Sequence, residues 1–137
     1  MAHLIKLASL RHVVGAALLS IAAAATSGCS GPAGSMSKED LARVRSSVGS
    51  LTPGESRDAV LKAMKPANAV PLGTSVVEGI TVEEWKIEAF NDSDKGRDLF
   101  VRFCYFVDGR LVDASDRRLD FRSNPELVRS WAGAAAK

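Results

Sequence analysis

The stretch DLFVRFCYFV, residues 98–107, limits the possible folds more than any other part of the chain. Successive side chains of a strand point to opposite faces. Leu99, Val101, Phe103, Tyr105 and Val107 therefore share one face, and Phe100, Arg102, Cys104 and Phe106 share the other. Neither set suits water along its whole length, so the segment reads as a central strand with Phe100 and Phe106 available for a second contact surface.

Its neighbours in sequence support a meander. VEEWKIEAF, residues 82–90, puts Trp85, Ile87 and Ala89 on one face and Glu84, Lys86 and Glu88 on the other. The polar run NDSDKGRD, residues 91–98, reads as a hairpin loop. Asp108 and Gly109 suit the left-handed positions of a type I′ turn, after which RLVDASDR, residues 110–117, continues as a third strand.

Two amphipathic helices come first. Ser37 with Asp40 makes a capping pattern, Leu41, Val44 and Val48 recur at helical spacing, and Gly49 ends the run. In LTPGESRDAVLKAM, residues 51–64, Val60, Leu61 and Met64 form the apolar face. Either Thr52 or Ser56 serves as the cap. Pro66 stops this helix, and residues 66–80 read as a long loop with room for a short strand at 74–78. The fold class expected is α+β: two N-terminal helices packed on a three-stranded antiparallel sheet as a two-layer sandwich, spanning residues 38–122.

The tail, residues 123–137, reads as a short helix opened by Pro125. Arg117, Arg118, Arg122 and Arg129 alternate there with Leu119, Phe121, Leu127, Val128 and Trp131. Phe100, Phe106, Arg118, Arg122 and Trp131 are the candidate protein-binding residues, because aromatic and arginine side chains are common at interfaces. A solvated face beside a docked helix is the equal alternative for the tail.

The first 28 residues have a different character. Lys6 and Arg11 precede thirteen uncharged residues, 13–25, a run too short and too alanine-rich for a membrane span. This is the layout of a secretory signal, with small residues at 23–28 suited to cleavage. Without Lys6 and Arg11 the 18 basic residues fall to 16, equal to the 16 acidic ones. No basic excess then argues for nucleic acid. Both histidines, His3 and His12, lie in the same leader. A chain beginning at residue 29 therefore has no Ser/His/Asp or Cys/His catalytic set and no histidine-bearing zinc site.

TSGC, residues 26–29, resembles a bacterial lipobox, with Thr26 where that pattern usually has an aliphatic residue. The resemblance implies a diacylglycerol on the Cys29 thiol, cleavage just before Cys29 and an N-acyl chain on its new amino group. Residues 29–37 would then be an acylated flexible tether. Cleavage after an upstream alanine, giving a soluble periplasmic protein, is the alternative. With Cys29 acylated, Cys104 has no thiol partner and reads as core.

The order of elements and the stretch LTPGESRDAV, residues 51–60, resemble the SmpA/OmlA (BamE-like) family of small lipoproteins. Gly54, Ser56 and Val60, the exit at Lys65 and Pro66, Trp85, and FVDGRL at 106–111 carry the likeness. It implies a non-catalytic accessory or scaffold subunit of an envelope protein complex, often one assembling β-barrels. Its acyl chains would hold it in the outer-membrane bilayer, with the domain facing the periplasm. Ser30 resembles the context that permits sorting to that membrane. Cofactors and metals are not expected beyond the covalent lipid. Direct binding of lipid or cell-wall glycan is the second function class. An enzyme comes third, since clusters such as Glu83 with Glu84 or Asp92 with Asp94 read as solvated faces or loops.

Overall fold

The computed structural model describes residues 34–137; the expected leader and Cys29 lie outside the described residues. Helices α1 (Lys38–Gly49) and α2 (Arg57–Ala63) are followed by β1 (Asn68–Val77), β2 (Ile80–Ser93), β3 (Gly96–Val107) and β4 (Arg110–Ser115), and then by α3 (Pro125–Ala135). The strands form one antiparallel meander in the order β1-β2-β3-β4.

Local chemistry sets the element boundaries. The Ser37 hydroxyl accepts from the Asp40 amide at 3.0 Å and opens α1. Ser56, not Thr52, caps α2 by accepting from the Ala59 amide. Thr52 instead donates its amide and hydroxyl to the Glu55 carboxylate and tightens the turn before the helix. The β1–β2 and β3–β4 connections are two-residue turns, Glu78-Gly79 and Asp108-Gly109, in which both residues have positive φ. That is the twist-matched turn geometry for adjacent antiparallel strands.

The three-strand, two-layer expectation is corrected in two respects. The sheet has a fourth strand, because residues 68–77 are not a loop but pair with β2 along their length. Pro71 and Gly73 disguise β1. It tolerates them because it is an edge strand, and the register shifts between them. The second correction is a third layer: α3 packs on the sheet face opposite α1 and α2. The loop expected at 91–98 also shrinks to Asp94 and Lys95, since β2 and β3 stay paired out to Ser93 and Gly96.

Each face has its own core. On the first, Leu41, Val44 and Val48 of α1 and Val60 and Met64 of α2 meet Ile87, Ala89, Phe100, Cys104, Phe106 and Leu111. On the second, Phe121 and the α3 residues Val128 and Trp131 meet Val82, Tyr105, Val107 and Val112. Trp131 stacks on Tyr105 at 5.2 Å, and Phe121 meets the edge of Tyr105 at 5.6 Å. Such pairs add about 0.5–1.5 kcal/mol each beyond burial.

The chain enters at the β2–β3 hairpin end. The Met36 amide donates to the Phe90 carbonyl, the Asn91 side chain donates to the Met36 carbonyl, and the Asp92 amide donates to the Ser35 hydroxyl. Two residues of the expected tether are thus bound to the sheet.

Candidate functional site

The second sheet face holds a buried carboxylate. Glu84 shares that face with Val82 and stands directly opposite Tyr105, with no exposed surface. Arg118 Nε and Nη2 donate to its two oxygens at 2.8 and 2.9 Å, and Arg122 Nη2 adds a third bond at 3.3 Å. The Leu119 amide donates to the Tyr105 hydroxyl at 2.7 Å between them. Arg122 also reaches Ser75 on β1, and Arg129 of α3 reaches Glu78 in the β1–β2 turn. The connection from β4 and helix α3 is therefore strapped across the sheet by charge-assisted bonds.

This geometry places the candidate residues differently from the sequence reading. Phe106 is fully buried and Phe100 nearly so, under α1 and α2. Trp131 is 4% exposed within the aromatic cluster. Arg118 and Arg122 are about half exposed but are spent on Glu84. Arg118 and Arg122 meet at Glu84 on the second face, where Trp131 also packs, whereas Phe100 and Phe106 lie on the first. None of the three aromatic side chains presents a free surface. Cys29 lies outside the described residues.

Two other surface features bear on recognition. Helix α3 covers only the Tyr105 end of the second face; towards the β2–β3 hairpin, Leu99 is 51% exposed and Val101, Phe103 and Val70 are half-buried. The Lys86–Glu88 ion pair lies among them, bonded at 2.6 Å. The other feature is a groove of about 380 Å³ between the end of α1, the following loop and β4, with Arg102, Leu111 and Asp113 among its lining residues.

Sequence reasoning missed Glu84 and Arg102. Glu84 looked like part of a solvated strand face, although its alternation with Val82 and its place beside a mixed apolar strand were legible. Arg102 is the one charge inside the otherwise apolar run from Leu99 to Val107, and that was its only signal.

Among the described residues no three His, Cys, Asp or Glu side chains stand together in a way that could hold a metal ion. None of the described helices is long and apolar enough to cross a membrane. No protein-family model, curated protein or solved structure matches the chain.

Proposed function

We propose that this protein is a non-catalytic, lipid-anchored accessory or scaffold subunit of an envelope protein complex, similar in role to the SmpA/OmlA family. In this reading Cys29 carries the acyl chains, the outer membrane holds them, and the domain faces the periplasm. The observation that carries the reading is the uncovered half of the second sheet face, where Leu99, Val101, Phe103 and Val70 form an apolar area around one ion pair. Contiguous apolar surface rimmed by polar side chains is characteristic of contact sites for other proteins.

The position of that area supports an anchored role. It lies at the β2–β3 hairpin end, the end at which Ser35 and Met36 bring the N-terminal chain onto the sheet. A domain tethered through Cys29 holds the patch at its membrane-proximal end, within reach of other membrane-held proteins.

The test combines mass and proximity. Intact-mass measurement on the full chain from a lipoprotein-processing bacterium should show acylated Cys29, and C29A should abolish the modification. A photo-crosslinking residue at Leu99 should capture a membrane-associated protein, while the same residue at exposed Lys62 on α2 should not. An unacylated mature chain would defeat the anchor, and equal capture from both positions would defeat the surface.

A further inference from the structure

We propose that the groove beside β4 is a second recognition site, one that takes an extended acidic segment of a partner protein as an added strand, with Arg102 holding its carboxylate.

Three observations lead there. The first is the state of Arg102. Its Nε is buried with no hydrogen-bond partner. Arg45, Arg57, Arg97, Arg118 and Arg129 each reach a carboxylate, whereas Arg102 reaches none among the described residues. Asp113 lines the same groove without pairing with it. In the sheet Asp113 stands opposite Tyr105 of β3, whereas Arg102 stands opposite Ile87 of β2. Arg102 borders the groove without a carboxylate partner of its own among the described residues, so a carboxylate arriving beside its guanidinium gains a charge-assisted bond.

The second observation is the strand edge. β4 is the outer strand of the sheet. The chain's own residues already bind to one end of that edge: the Gly54 amide donates to the Leu111 carbonyl, the Leu111 amide donates to the Glu55 carbonyl, and Ser56 makes an antiparallel bridge with Arg110. Beyond Leu111 no strand pairs with the outer side of β4 among the described residues. The edge therefore offers backbone donors and acceptors to an extended segment, the condition for recognition by strand addition.

The third is shape. The groove starts where the 54–56 segment leaves β4, and its walls are Val48, Leu51 and Pro53 on one side and the β4 residues on the other. Its volume of about 380 Å³ falls within the roughly 300–1,000 Å³ of ordinary binding pockets. It can take two or three side chains of an extended peptide, with apolar walls for the neighbours of the carboxylate and Arg102 for the carboxylate itself. The backbone supplies affinity and the guanidinium selects for acid.

This site is separate from the open patch around Leu99, although it too rests on reading the protein as a binding module. Acylation and capture at Leu99 test the anchor and the patch, and the following test touches neither. The full chain in mild detergent, alongside R102Q and R102K, is panned against a display library of random eight-residue peptides. Circular dichroism establishes that each variant is folded. Wild type should enrich peptides with a carboxylate at one fixed position. A synthetic copy of an enriched peptide should perturb the amide resonances of Val112, Asp113, Ala114 and Ser115. Its glutamine analogue should bind about tenfold more weakly, as loss of one charge-assisted bond requires. R102Q should lose the preference between the two peptides and R102K should retain part of it. Failure to enrich any acidic position would overturn the proposal, and so would an unchanged preference in R102Q. If acetate or inorganic phosphate shifts the Arg102 resonances as strongly as the peptide while the β4 amides stay silent, the groove is a small-anion site and the strand-addition reading is wrong. If R102Q does not fold, the comparison of glutamate and glutamine peptides on wild type and R102K decides.

Discussion

Glu84 and Arg118, 34 residues apart, form a two-pronged ion pair in which the carboxylate is fully buried and the guanidinium is about half exposed. The pair fastens the segment after β4 to the middle of the sheet. The Arg118 hydrogen bonds hold the Glu84 carboxyl below the usual carboxylate range, against the opposite pull of burial and with further help from Arg122.

E84Q should therefore destabilise the domain by about 2 kcal/mol in urea unfolding, a value for bonds to a charged group discounted because both arginines meet solvent. The pH dependence has a definite sign. A carboxyl with a folded pKa below its unfolded one adds stability that is complete above about pH 4.3 and disappears as pH falls through the lower folded value. Wild type should lose stability below that pH more steeply than E84Q, whose midpoint should vary less over the same acid range. Equal acid slopes for the two proteins would remove Glu84 from the account.

Cys104 is fully buried on the first face, and burial pushes its thiol up to about 11. At neutral pH the reactive thiolate is scarce in the folded protein. A disulfide reagent should modify Cys104 only as fast as the domain opens, and readily in denaturant. C104A should cost on the order of 1 kcal/mol, and C104S about as much or more because its hydroxyl enters an apolar cluster. Fast labelling of the native protein would show that the site is open.

Trp131 joins α3 to the sheet through Tyr105 and Phe121. W131A should cost about 3 kcal/mol, the usual loss for a buried aromatic, and should flatten the near-ultraviolet circular dichroism of the stacked rings. Far-ultraviolet strand signal should survive below the lowered melting temperature, because α1 and α2 still cover the first face.

Much of this fold was legible where local chemistry and periodicity agree. Leu41, Val44 and Val48, the Ser37 cap and the Asp108-Gly109 turn all report on near neighbours, and each occupies the place its pattern implied. β1 was hidden because Pro71 and Gly73 break a strand everywhere except at an edge, and edge position is a property of the whole sheet. Phe100 and Phe106 belong to the set of side chains that α1 and α2 cover, so they lie in the core and not on an outer surface. Alternation separates two faces but does not say which one a helix will choose. Glu84 was illegible as a buried group because its partners follow it by 34 and 38 residues.

The layering also sets an order of completion. Every helix that covers the first face precedes the strands in the chain, whereas Phe121, Val128 and Trp131, which close the second, follow all four. A chain that emerges N-terminus first can assemble one half of its interior during synthesis, but Val82, Tyr105 and Val107 stay bare until the final segment arrives. Through that interval the nascent sheet carries an adhesive side as well as an unpaired rim, the condition under which partly made domains are caught by chaperones or by one another.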